Sequence, residues 1–134
     1  MEHDTTARSR VLVIEDDEAY RYVLTRSLEA RGFDVLPFEN GLPVLDYLDK
    51  GGRVDAMVTD LQLPTRTPNG ISMALMVRQR KPDLPVVMIT GFSNMAAYVD
   101  GQWGVLMQKS SGTGAILESL YDQGLRPASE PDGG

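Results

Sequence analysis

Four short apolar runs recur along this chain with helix-patterned stretches between them: Val11-Leu12-Val13-Ile14, Val54-Asp55-Ala56-Met57-Val58-Thr59, Val86-Val87-Met88-Ile89 and Val105-Leu106-Met107. Runs this short and this rich in β-branched residues read as buried strands. Their alternation with helical periodicity predicts a parallel sheet with helices on both faces. Each run also ends in polar groups, in turn Glu15-Asp16, Asp60, Thr90 and Gln108-Lys109. In a parallel sheet these ends share the C-terminal edge, where open α/β folds place their chemistry. An acidic cluster, a hydroxyl and an ammonium are thereby gathered around one carboxylate, Asp60.

That set has a chemical reading. Clustered carboxylates suit a hard divalent cation such as Mg2+, which takes one or two of them and completes its shell with water and phosphate oxygens. A lysine and a threonine hydroxyl opposite can neutralise and hydrogen-bond the remaining oxygens of a phosphoryl group. Aspartate is a competent nucleophile toward phosphorus once the approaching charge is shielded. Phosphorylation of Asp60 is the event these residues predict. Blander roles are assigned elsewhere. Asp17 and Glu18 oppose the positive end of the following helix dipole, and Met73, Met76, Met88, Met95 and Met107 fill the core. Trp103 packs against the fifth strand.

The ordered set resembles the receiver domain of bacterial two-component response regulators, over residues 9–123. The resemblance implies an α/β, flavodoxin-like, doubly wound five-stranded parallel sheet of order 2-1-3-4-5. It makes Asp60 the phosphoacceptor, Asp16 a direct metal ligand and Glu15 a ligand through water. Gln62 lends its backbone carbonyl to the metal, Thr90 is the switch hydroxyl and Lys109 the phosphate-binding lysine. Mg2+ or another divalent cation is the implied cofactor. A histidine kinase or histidine phosphotransfer protein is the implied phosphodonor, since the one histidine here, His3, lies in a polar leader. Output would be a contact with a downstream protein or onward phosphotransfer.

The chain departs from the family pattern in places. Ser110 stands where proline usually follows the lysine, so a trans bond is expected there, a non-proline cis bond costing about 2.5–4 kcal/mol. Leu106 replaces the aromatic switch residue. The interval from Thr90 to Lys109 is a few residues short, so the fourth helix, between the fourth and fifth strands, is expected to be short or irregular and residues 91–104 to be the mobile element. The loop after Asp60, Pro64-Thr65-Arg66-Thr67-Pro68-Asn69-Gly70, is longer than usual. Gln62 and Phe92 are placed at the mouth of the phosphoryl site.

Two other classes compete with this reading. One is a degenerate receiver acting as a phosphorylation-independent docking module. The other is a phosphatase of the haloacid dehalogenase type, whose general acid would sit at Gln62, a side chain unable to transfer protons.

Composition sets outer bounds. The 134 residues suit one domain, divided as a flexible leader at 1–8, the receiver at 9–125 and a flexible tail at 126–134. Only one helix and a tail follow Lys109, so a stand-alone protein acting on no external substrate is expected. A net charge of −6 argues against a nucleic-acid surface, and the absence of cysteine fits a cytoplasmic protein without disulfides. No run is long enough to span a membrane.

Along the chain, Tyr20, Leu24 and Leu28 mark a first helix stopped at Gly32, and residues 33–38 a second strand. Asn40 caps a second helix with Pro43 in its first turn. Ile71, Leu75 and Arg78 mark a third, ended by Lys81-Pro82. Ile116, Leu117 and Leu120 form the apolar side of the last.

Overall fold

A computed structural model describes residues 7–91 and 104–128 of the chain. Five strands, β1 (Arg10–Ile14), β2 (Asp34–Phe38), β3 (Ala56–Asp60), β4 (Val86–Thr90) and β5 (Val105–Gln108), form one parallel sheet in the order β2-β1-β3-β4-β5. Among the described residues the helices are α1 (Glu18–Ala30), α2 (Leu42–Asp49), α3 (Gly70–Arg80) and α4 (Thr113–Asp122). This is the flavodoxin-like architecture that the resemblance implies. The helix expected between β4 and β5, with Phe92, Met95 and Trp103, lies outside the described residues, as do residues 1–6 and 129–134.

Side-chain alternation along each strand divides the core into two layers. Val11 and Val13 of β1, Ala56 and Val58 of β3, and Val87 and Ile89 of β4 pack against Leu24 and Leu28 of α1 and Ile116, Leu117 and Leu120 of α4. The intervening Leu12, Ile14, Met57, Val86 and Met88 pack against Val44 and Leu48 of α2 and Met73, Ala74 and Val77 of α3. Strands β3 and β4 are buried along their whole length, as central strands covered on both faces must be. Met73 and Met88 are fully buried, and Met76 and Met107 partly so, consistent with core filling.

Helix boundaries follow local chemistry. Asp17 caps α1 by accepting from the Ala19 N–H, Glu18 supplies a negative charge in the first turn, and Gly32 leaves the helix at φ +95°. Asn40 accepts from the Leu42 N–H at 2.8 Å, one residue ahead of the N-cap Gly41, and Pro43 sits in the tolerated first turn. The third helix needs a correction of phase. Its buried stripe is Gly70, Met73, Ala74 and Val77, whereas Leu75 is 39% exposed and the Arg78 guanidinium donates to the Leu84 carbonyl. Small residues at 70 and 74 let this helix lie close to the sheet, and that proximity outranks the size of Leu75.

At the base of the sheet, Arg8 and Ala128 form an antiparallel bridge, and the Ser9 N–H donates to the Pro127 carbonyl at 2.9 Å. The two ends of the described chain therefore lie together, opposite the edge that carries Asp60.

Candidate functional site

The alternation that builds the core also aims the polar ends. Glu15 extends the row of Val11 and Val13, and Asp60 extends the row of Ala56 and Val58, so both leave the sheet on the α1/α4 side. Because β1 and β3 are neighbours, the two carboxylates meet. Lys109 opens the 3-10 turn Lys109–Ser111 that follows β5, and its ammonium reaches back into the same space. It lies 2.7 Å from Glu15 Oε1 and 3.2 Å from Asp60 Oδ2. Glu15, Asp16 and Asp60 each offer a carboxylate oxygen, all within 4.8 Å of one another.

These carboxylates differ in surroundings. Glu15 has no exposed surface, Asp60 is buried and Asp16 is exposed. Burial pushes the Glu15 carboxyl up to about 7, against the lowering influence of Lys109 and of the Asp17 N–H that donates to Oε2 at 3.0 Å; Asp60 nearby adds to the rise. For Lys109, burial works against the charged form, but hydrogen bonding and attraction from Glu15 and Asp60 outweigh it and raise its pKa. A buried carboxylate held at such cost beside two others, one open to solvent, is a donor set that a hard divalent cation fits.

Thr90 emerges on the opposite face. It extends the row of Val86 and Met88, is buried, and its hydroxyl donates to Gln62 Oε1 at 3.1 Å. The side chain of Gln62 is therefore engaged with the hydroxyl expected to act as a switch. The peptide bond between Lys109 and Ser110 is trans, there being no cis bond among the described residues. Leu106 packs in the α2/α3 layer, away from Lys109.

Two residues acquire positions that the sequence did not single out. Gly70 donates its N–H to the Leu61 carbonyl at 3.1 Å, and a Cβ there would lie 2.4 Å from the Asp60 carbonyl oxygen. With Asn69 capping α3 through the Ser72 N–H at 2.9 Å, this close approach anchors the long loop directly behind Asp60. The Asn-Gly pair before a helical stretch was the available signal. Tyr20, which the sequence shows only as part of an apolar stripe, has its ring centroid 4.8 Å from the Lys109 ammonium.

Comparison with known proteins places these features in a family. The family model for the response regulator receiver domain matches residues 11–112. The chain is 35% identical over 92 residues to the DNA-binding transcriptional regulator NtrC of Escherichia coli K12, covering 69% of this chain and 19% of NtrC. The chain thus spans about a fifth of that relative's length. Among solved structures, a response regulator receiver protein from Sinorhizobium medicae superposes with a TM-score of 0.78 at 20% identity, covering 87% of this chain and 94% of that one. The response regulator TrrA of Thermotoga maritima, solved in complex with Mg2+-BeF, superposes with a TM-score of 0.75 at 22% identity, covering 86% and 98%. At these identities the superpositions speak for the fold.

Proposed function

The chain belongs to the response regulator receiver domain family, and on that premise we propose that it accepts a phosphoryl group on Asp60 from a phosphohistidine of a partner kinase or histidine phosphotransfer protein. The observation that carries this reading is the Lys109 ammonium seated between Glu15 and Asp60, at 2.7 and 3.2 Å. It is a cation positioned where the charge of an incoming phosphoryl group would otherwise be repelled by the carboxylates.

In the reaction an Asp60 carboxylate oxygen attacks phosphorus and the P–N bond to the donor imidazole breaks. The imidazole leaves with the bonding pair, and an acyl phosphate remains on Asp60. Glu15, Asp16 and Asp60, with the Gln62 carbonyl, are the residues that would hold Mg2+, which when bound neutralises charge on the carboxylate and the phosphoryl oxygens. Lys109 binds a phosphoryl oxygen. Thr90 donates its hydroxyl to another, exchanging Gln62 for the phosphoryl group. Signalling then follows from the changed surface, through a protein contact or onward transfer, with no external substrate turned over.

Phosphorylation by a small phosphodonor, followed by intact-protein mass spectrometry with and without Mg2+, tests the assignment. One phosphoryl group should appear on the wild type and none on Asp60→Asn.

A further inference from the structure

Among the described residues, three groups surround the Lys109 ammonium. Glu15 and Asp60 are two, and the third is the ring of Tyr20, with its centroid 4.8 Å from Nζ. The carboxylates are the same ones that a divalent cation would claim. An aromatic face attracts an ammonium through its quadrupole, yet offers none of the oxygen ligands that a hard cation takes. We propose that Tyr20 is a positioning residue for phosphoryl binding: its ring retains the Lys109 ammonium at the site when Glu15 and Asp60 turn to the metal. This rests on the reading of Lys109 as the phosphoryl-binding ammonium.

Local structure supports the role. Tyr20 lies in the first turn of α1, just after the Asp17 cap, and its ring packs against the α1/α4 layer of the core. The ring is thus fixed by the same helix start that follows Glu15 and Asp16. Its hydroxyl is buried and has no hydrogen-bond partner among the described residues, so the ring and not the hydroxyl makes the relevant contact. Leu106 brings no ring near Lys109, since it packs in the other layer. Among the described residues, the aromatic neighbour of this lysine is supplied by the first helix.

The test compares Tyr20→Phe, Tyr20→Leu and Tyr20→Met, each checked for wild-type melting, in binding beryllofluoride at saturating Mg2+. Phe keeps the ring and should bind as the wild type does. Leu and Met keep apolar bulk without the quadrupole and should bind about 2- to 30-fold more weakly, the range expected for a cation–π contact. Affinity for Mg2+ alone should stay within about twofold in all three, because Tyr20 contributes no metal ligand. In the metal-free protein, NMR should find the Lys109 ε-methylene protons shifted upfield by the ring in wild type and Tyr20→Phe, and not in Tyr20→Leu. Folded Leu or Met variants that bind beryllofluoride undiminished overturn the proposal, as does Tyr20→Phe weakened equally with them. Lys109→Ala separates the two levels. If the wild type binds no beryllofluoride, or Lys109→Ala binds it as tightly, the reading of Lys109 falls and takes the proposal with it. If Lys109→Ala is weakened and Tyr20→Leu is not, the role of Tyr20 alone is rejected.

Discussion

The Lys109 ammonium and the Glu15 carboxylate are 2.7 Å apart, and the carboxylate has no exposed surface. Burial nevertheless dominates, holding the Glu15 carboxyl up to about 7 against an ordinary 4.5. A pKa raised by folding means that the folded state binds the proton more tightly than the unfolded state does. The resulting stabilisation is present below the unfolded value and is lost as pH rises toward the folded value. In the metal-free protein, Glu15 should therefore cost at most about 3 kcal/mol at pH 8 relative to pH 4. The difference in stability between wild type and Glu15→Gln, followed by denaturation across that range, should move in favour of the Gln variant as pH rises. A constant difference would show that folding does not raise the Glu15 pKa.

Thr90 is tied to Gln62, and on the proposed reading a phosphoryl oxygen competes for the same hydroxyl. Removing the competitor in Gln62→Ala should tighten beryllofluoride binding by about 2- to 12-fold, the worth of one neutral hydrogen bond. Binding unchanged or weakened would mean that the contact does not restrain Thr90.

Gly70 leaves no room for a side chain, since a Cβ would stand 2.4 Å from the Asp60 carbonyl oxygen. Gly70→Ala must displace either α3 or the end of β3. Overpacking of this kind costs about 1–3 kcal/mol, and a slower phosphorylation of Asp60 should accompany the loss. Wild-type melting together with wild-type phosphorylation would show that the loop yields freely.

Much of this site is legible in the sequence because strands impose a period of two and a parallel sheet brings strand ends to one edge. Glu15, Asp16, Asp60 and Lys109 all stand at or just beyond the end of an apolar run, and the structure brings them together. The features that escape a linear reading are set by contacts across elements. Hydrophobic size alone points to Leu75 as the inward face of α3, whereas the close approach of Gly70 to Asp60 decides that Ala74 and Val77 turn inward beside Met73. Tyr20 registers as one apolar position in a stripe, since nothing along the chain says that Lys109, far away in sequence, will lie over its ring. The Thr90–Gln62 hydrogen bond likewise joins the end of β4 to the loop after β3, an approach that depends on the packed sheet.

Asp16 is the exposed member of the acidic set, so replacing it should leave the core untouched while removing the proposed direct ligand. Asp16→Ala should lower Mg2+ affinity at least tenfold, read by titration, with melting of the metal-free protein unchanged. An unaltered titration would move the cation to other groups.

Everything proposed for Lys109, Thr90 and Tyr20 depends on Asp60 being the residue that receives the phosphoryl group. Wild type, Asp60→Asn and Lys109→Ala can be incubated with a small phosphodonor and Mg2+ and then compared by intact-protein mass spectrometry. A single Mg2+-dependent phosphoryl adduct is expected on the wild type, a diminished one on Lys109→Ala, and none on a folded Asp60→Asn; a stoichiometric adduct on Asp60→Asn would place the acceptor elsewhere.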